Sequence, residues 1–310
     1  MNDALEVCRP VERAIVVRAA ELAARPVAAN TARAYAADWR TFAAWCAGHG
    51  LPALPADERT IVLYLTHLEG EGKRYATIAR AYRGIRARHA ADGSGLPTLD
   101  AVRNVLSGIG REHGTASRGK SPLMANDLRC IVAGMGDDPL DVRDRAMLLV
   151  CWAAALRRSE LVALDVSDLV FSEDGLAVHV RRGKTDQRGE GRVVGVPHGT
   201  RGSCPVRACR AWLASAGATD GPAFRPIGGT ARLAGAAVDR AVKRAVARIG
   251  LDPDAYGAHS LRAGLATSAA KAGKGLDVIM RTTGHKSERI AMGYIRFGSV
   301  FDGCASEGLL

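Results

Sequence analysis

From about Val11 to His113, apolar residues recur at every third or fourth position, in ERAIVVRAAELAA, TARAYAADWRTFAAWC, ERTIVLYLTHLEG, YATIARAYRGIRARHA and DAVRNVLSGIG. A repeat of that length lines one face of a helix with apolar side chains. This part of the chain therefore predicts an all-α bundle of four or five helices. Asn30-Thr31 and Asp57 stand where N-caps belong, and Gly48, Gly70 and Gly93 stand near helix ends. The pattern then lapses into HGTASRGKSPL, polar and rich in glycine and basic residues. That predicts an exposed linker over 114–122, with Pro122 opening the next unit.

The second half is mixed. SPLMANDLRCIVAGM and DVRDRAMLLVCWAAALRRSELVAL have the helical period. LAVHVRR (176–182) and GRVVGVP (191–197) alternate apolar with polar residues around a glycine-rich turn, which predicts a β-hairpin. Helices resume over CPVRACRAWLASA, ARLAGAAVDRAVKRAVARIG, HSLRAGLATSAAKAG and GLDVIMRTTG. The expected fold is mainly α with a small β-hairpin or sheet. Its parts are an N-terminal extension (1–27), a helical bundle (28–113), the linker (114–122) and a mixed α/β domain (123–310).

Composition sharpens this picture. A chain of 310 residues has room for two modest cores, and its abundant alanine and glycine with few aromatics favour close helix packing. The formal net charge of +11 points to a polyanionic partner, nucleic acid first. Seven scattered cysteines without a Cys-x-x-Cys argue for a reducing compartment, and Cys204 and Cys209, lacking a second pair at zinc spacing, read as ordinary thiols. The start has no apolar signal core, and the longest apolar run, Ala146 to Leu156, is too short to span a bilayer. Between Gly72 and Asp92 the chain carries Lys73, Arg74, Arg80, Arg83, Arg86 and Arg88 with no acidic residue. Such a helix presents a basic face either to solvent or to DNA phosphates. A helix over 232–249, with Arg240, Lys243, Arg244 and Arg248, offers the same two readings and could enter a major groove.

Four stretches of the second half hold residues suited to a phosphodiester. ALRRSELVALD places Arg157 and Glu160 three apart, Lys184 sits at the expected hairpin tip, HSLR places His259 and Arg262 three apart, and His285 precedes Tyr294 by nine positions. Each is weak alone, since an Arg–Glu pair at that spacing is usually a surface ion pair. Lys184 does follow a glycine and precede a threonine. Val178, however, stands where a phosphate-binding loop needs its first glycine, which excludes that loop. No His-Glu-x-x-His, paired-carboxylate or Gly-x-Ser-x-Gly arrangement appears.

Taken in order, A-L-R-R-S-E-L, the hairpin lysine, H-S-L-R, G-H and a closing M-G-Y-I-R resemble the tyrosine recombinase (phage integrase) family. The stretch YLTHLEGEGKRYATIARAYRGIRARHAADG is similar to Cre-like members. His285 stands where those members carry a tryptophan, and both rings can donate an N–H. The resemblance implies a helical core-binding domain followed by an α/β catalytic domain. It implies that Tyr294 attacks the scissile phosphate to give a 3′-phosphotyrosyl linkage. Arg157 and Arg262 would hold the non-bridging oxygens and favour the phenolate, since guanidinium matches such oxygens bidentately. Lys184 would protonate the departing 5′-oxygen, His259 would assist proton transfer, His285 would bond a non-bridging oxygen and Glu160 would orient the basic residues. No cofactor, metal or ATP is implied.

The implied partner is a double-stranded recombination site, contacted by Lys73, Arg74, Arg80, Arg83, Arg86, Arg240, Lys243 and Arg244. The implied assembly is a monomer when free and a homotetramer on the synapse, working through a Holliday junction in a bacterial cytoplasm. Two alternatives carry related chemistry or fold: a type IB topoisomerase-like nicking and resealing protein, and a non-catalytic DNA-binding regulator. Tyr35, Tyr64, Tyr75 and Tyr82 read as core residues, and Tyr256 lies near His259 in sequence. The tail SVFDGCASEGLL could dock on its own domain or on a neighbour.

Overall fold

The structure is a computed structural model that describes residues 29–94, 100–115, 119–181, 191–285 and 287–298. The chain divides into two compact units, Met1–Arg118 and Gly119–Leu310. The first unit holds α1 (Ala29–Gly48), α2 (Glu58–Gly70), α3 (Tyr75–Asp92) and α4 (Asp100–His113). Asp57 caps α2 by accepting the Thr60 N–H at 2.7 Å, and Gly93 ends α3 with a φ of +78°. Helix α1 is already formed at Ala29, so Asn30 and Thr31 lie inside it and do not cap it. The expected helix over ERAIVVRAAELAA falls outside the described residues.

Phe42, Ile61, Tyr64, Leu65, Ile78 and Ile85 fill the core of this unit. Tyr75 and Tyr82 pack against it, and Tyr35 is half-buried. Gly84 brings α3 close to α1, because a Cβ there would lie 3.3 Å from the Tyr35 carbonyl oxygen. The buried His89 accepts the Ala56 N–H at Nε2 (2.9 Å) and bonds the Ile85 carbonyl through Nδ1 (2.9 Å), a structural role.

The second unit holds α5 (Ala125–Ala133), α6 (Pro139–Ala153), α7 (Arg158–Ala163), β1 (Leu169–Phe171), β2 (Gly175–Val180), β3 (Arg192–Pro197), α8 (Pro205–Ser215), α9 (Gly235–Ala247), α10 (Ala258–Lys271), α11 (Leu276–Thr283) and α12 (Glu288–Gly298). The strands form one antiparallel sheet in the order β1-β2-β3. Its register pairs Leu169 with Val178, Leu176 with Val196 and Val180 with Arg192. Leu176, Val178, Val180, Val194 and Val196 all point into the core, as their alternation predicts. Strand β1 is an addition to the expected hairpin, since three residues are too few to display a period.

Two further differences matter. The run from Asp141 to Leu164 reads as one helix but breaks between α6 and α7. Ala155 turns there with a φ of +48°, while Leu156 N–H reaches back to the Cys151 carbonyl at 2.9 Å. Ala154, Ala155 and Leu156 are fully buried, so the apolar pattern runs through the break unaltered. The second difference concerns Cys204, which is not an ordinary thiol. It sits at the N-terminus of α8, accepts the Gly199 N–H at 3.3 Å and lies 3.9 Å from His198 Nδ1. Burial would raise its pKa, but hydrogen bonds from the Arg207 and Gly199 backbone and from His198 outweigh burial and lower it to about 7. Burial pushes Cys209 up to about 12.

The strap entering this unit is hydrogen-bonded along α10 and its approach: Ser121 N–H to the Ala255 carbonyl and Leu123 N–H to the Ser260 carbonyl, both 2.9 Å. Gly264 faces the strap so closely that a Cβ would lie 1.8 Å from the Leu123 carbonyl oxygen. Among the described residues, no helix is long and apolar enough to cross a membrane.

Candidate active site

The break after α6 puts Arg157 at the N-cap of α7 and Glu160 in its first turn. Glu160 Oε2 accepts the Arg157 backbone N–H at 2.9 Å, and Oε1 accepts Arg157 Nη1 at 2.5 Å. Arg192, the first residue of β3, reaches the same carboxylate through Nη2 (2.9 Å) and Nη1 (3.3 Å). Glu160 is only 3% exposed. Burial works to raise its pKa, yet the bonds from Arg192 and Arg157 prevail and hold it below the ordinary carboxylate value. Sequence reading had missed Arg192. Its one signal is its place as the first residue of an alternating strand, which says nothing of where a long side chain ends.

Helix α10 brings the next pair. Asp239 Oδ1 accepts the Ala258 N–H at 2.8 Å and Ser260 Oγ the Gly257 N–H at 3.1 Å, which fixes the start of the helix. Arg262 is 1% exposed, donates Nη1 to the Ala155 carbonyl at 2.7 Å, and has an Nη2 without a hydrogen-bond partner among the described residues. Burial, then the neighbouring Arg157, lower its pKa to about 10, still charged at neutral pH. His259 Nε2 lies 3.2 Å from the Tyr294 hydroxyl. One edge of His259 meets solvent, but its ring sits low enough that burial, Arg262 and Arg157 together lower its pKa. It is therefore a neutral base at pH 7.

Helix α11 ends at Gly284 with a φ of +66°, and the turn carries His285 beneath Tyr294 of α12, rings 5.5 Å apart and 21° from parallel. Thr283 Oγ1 donates to the Ile279 carbonyl at 2.7 Å and lies 2.8 Å from His285 Nδ1. In that arrangement Nδ1 carries the ring proton and Nε2 is an acceptor. Burial, then Arg262 and Arg157, lower the His285 pKa to about 4. The hydrogen bond from His285 to a non-bridging oxygen that the family resemblance implies, if made by Nε2, thus needs Thr283 to turn or the ring to gain a proton.

The expectation that the arginines favour the Tyr294 phenolate meets an opposing influence in the free protein. Arg262 and Arg157 do pull its pKa down, but burial outweighs them and the pKa is raised. Arg157, Glu160, His259, Arg262, His285 and Tyr294 all belong to this one cluster, whereas Lys184 lies outside the described residues. Tyr256 is half-buried at the approach to α10 and packs against the apolar core.

The DNA-contact expectations fare unevenly. In the first unit Lys73, Arg74, Arg83 and Arg86 are exposed. Arg80 is exposed as well but is bonded to Asp38 of α1 at 2.9 and 3.0 Å, a partner 42 residues away that no local charge count reveals, and Lys73 lies 3.5 Å from Glu71. A groove of about 590 Å³ between α1 and α3 is lined by Arg33, Tyr35, Trp39, Arg40, Gly84 and Arg88. It adds Arg33 and Arg40 to the basic surface read from sequence.

The basic face of α9 is largely used inside its own unit. Lys243 pairs with Asp254 (2.6 Å), Arg244 with Asp144 (2.5 Å) and Arg248 with Asp141 (2.6 Å), leaving Arg240 exposed. Among the described residues, Glu69, Glu112 and His113 form one cluster of donors close enough to share a metal ion. It belongs to the first unit, is largely exposed, and contains the His113–Glu69 bond of 2.7 Å.

The phage integrase family matches residues 122–298. An integrase/recombinase XerD homologue of Selenomonas ruminantium is 39% identical over 283 residues, covering 88% of this chain and 83% of that protein. Recombinase Cre of Escherichia phage P1 is 25% identical over 283 residues, covering 83% and 81%. Among solved structures, a lambda integrase dimer bound to a core site aligns with a TM-score of 0.61 at 19% identity, over 91% of this chain and 93% of that one. The recombinase XerH, in its post-cleavage complex with palindromic difH substrate, aligns with a TM-score of 0.61 at 19% identity over 79% and 70%. With the family spanning most of the second unit and close relatives running along nearly the whole chain, this protein belongs to the phage integrase family of tyrosine recombinases and is a site-specific DNA strand-exchange enzyme.

Proposed function

We propose that the reaction runs through Tyr294, with Arg157 and Arg262 binding the scissile phosphate and His259 taking the proton. The carrying observation is one juxtaposition: a tyrosine hydroxyl 3.2 Å from a neutral imidazole, beside a buried arginine with an unpartnered N–H. As the Tyr294 oxygen bonds to phosphorus, its proton passes to His259 Nε2 and the bond to the 5′-oxygen breaks. In the five-coordinate transition state between these events two negative charges build on the non-bridging oxygens, where fixed guanidiniums are worth most. Lys184 protonates the leaving oxygen, as family resemblance implies. The phosphotyrosyl ester keeps the energy of the broken bond, so a 5′-hydroxyl from another strand reverses the step without ATP.

The incoming phosphate also raises the His285 pKa, so that the ring donates from Nε2 in the complex. Both units grip the duplex, the first through exposed Lys73, Arg74, Arg83 and Arg86 and the α1/α3 groove. Four copies synapse two sites in the cytoplasm of a bacterium. A regulator lacking the chemistry would not need the six described residues of this cluster to converge. The test is recovery of protein covalently joined to DNA after incubation with genomic fragments from the source organism. Wild-type protein yields a protease-resistant peptide on a 3′-end and Tyr294→Phe yields none. An equal yield from Tyr294→Phe refutes the assignment.

A further inference from the structure

We infer that Arg192 is a positioning residue for strand exchange: by holding Glu160 it leaves the charge of Arg157 available to the scissile phosphate. The inference rests on the function proposed above and deepens it. Glu160 is buried and lies 2.5 Å from Arg157 Nη1. A carboxylate facing one guanidinium at that distance cancels it, and the pair would present no net charge to DNA. Arg192 changes that balance, since both its terminal nitrogens reach the same carboxylate, at 2.9 and 3.3 Å. Three guanidiniums, of Arg157, Arg192 and Arg262, then face one carboxylate. The excess of two positive charges matches the two negative charges of a five-coordinate phosphate.

The fold builds a seat for this side chain. Gly284, at the left-handed end of α11, stands where a Cβ would come within 3.3 Å of three Arg192 side-chain atoms, so glycine lets the guanidinium lie against the turn that carries His285. The Arg192 side chain is 18% exposed, little enough for its charge to act through protein rather than through water.

The charge role and a merely structural role separate in a double variant. The DNA recovered with wild-type protein defines a cleavage site, and a nicked oligonucleotide of that site traps single-turnover cleavage. At saturating protein, Arg192→Ala is expected to slow cleavage by about ten- to a hundredfold with little change in DNA affinity. Adding Glu160→Gln to Arg192→Ala restores the wild-type excess of charge and should recover most of the lost rate. Arg192→Lys, which keeps the charge but not the fork, should fall between. The His285 imidazole, followed by NMR in the free protein, should titrate at higher pH in Arg192→Ala. Wild-type cleavage by Arg192→Ala, or a double variant no faster than the single one, overturns the inference. If Arg192→Ala does not fold, Arg192→Lys and its double with Glu160→Gln decide the matter, because charge compensation then predicts no gain from the second change. Failure of wild-type protein to form any adduct would instead remove the parent reading.

Discussion

Tyr294 is under two opposed influences, burial raising its pKa and Arg262 and Arg157 lowering it. In the free protein burial prevails, so the proposed nucleophile waits as a phenol and would need a base. His259 can be that base only in its neutral form, and its lowered pKa keeps it neutral below the ordinary imidazole value of about 6.5. At subsaturating protein, where the rate reports the free protein, cleavage is therefore expected to hold level as pH falls through 6.5 and to drop only as pH passes the lowered His259 value. A fall centred at or above 6.5 would assign the base elsewhere. His285 gives a matching prediction for stability. Its folded pKa of about 4 lies below the unfolded value of about 6.5, so between these values the unfolded chain binds the extra proton. Its contribution is complete above 6.5 and is lost as pH falls toward 4. Thermal unfolding followed from pH 7 to 4 should show a decline in Tm that His285→Gln makes shallower.

The arrangement of this site depends on elements that pattern alone could not delimit. Helix periods located the helices of both units, and alternation located the hairpin, because each burial face is a local property. The break between α6 and α7 escaped because its residues are as buried as those of a helix, and only the φ of +48° at Ala155 marks it. That turn presents the Ala155 carbonyl to Arg262 and starts α7 at Arg157, so an unreadable detail places two arginines of the proposed active site. Left-handed backbone costs an alanine about 1–2 kcal/mol, partly offset in a glycine variant by greater unfolded-state entropy. Ala155→Gly also removes a fully buried methyl worth about 0.8 kcal/mol, so it should leave stability within about 0.5 kcal/mol of wild type in denaturant unfolding, where Ala155→Val should destabilise. The strap offers the opposite case. Gly264→Ala would drive a methyl into the Leu123 carbonyl, at 1.8 Å before relaxation, and should cost roughly 3 kcal/mol. That Arg157, Glu160, His259, Arg262, His285 and Tyr294 belong together was legible because their order along the chain resembles a family signature. Arg192 was not, since its meaning lies wholly in Glu160, 32 positions away.

At the scale of the molecule, the count of 43 lysines and arginines overstates the cations open to DNA. Arg80, Lys243, Arg244 and Arg248 are each paired with an aspartate of their own unit, and a cation already neutralised releases few counterions when a duplex arrives. Arg40 and Arg88 are different: both are exposed and line the groove between α1 and α3, with Arg88 lying 5.9 Å from the centre of the Trp39 ring. Each phosphate contact contributes about 0.9 to the slope of log affinity against log salt on duplex DNA. Arg40→Ala combined with Arg88→Ala should therefore flatten that slope by about 2 and weaken binding most at low salt. Arg244→Ala should leave the slope unchanged. Its effect belongs to folding, because it strips a partner from Asp144, which is 3% exposed and bonded otherwise to Arg143. Titrations of one labelled duplex at several salt concentrations separate the two outcomes. A slope reduced as much by Arg244→Ala as by the α1/α3 pair would mean that α9 gives up its internal partners to meet the phosphates, and that its basic face, which the sequence leaves open to solvent or to DNA, meets DNA only in the complex.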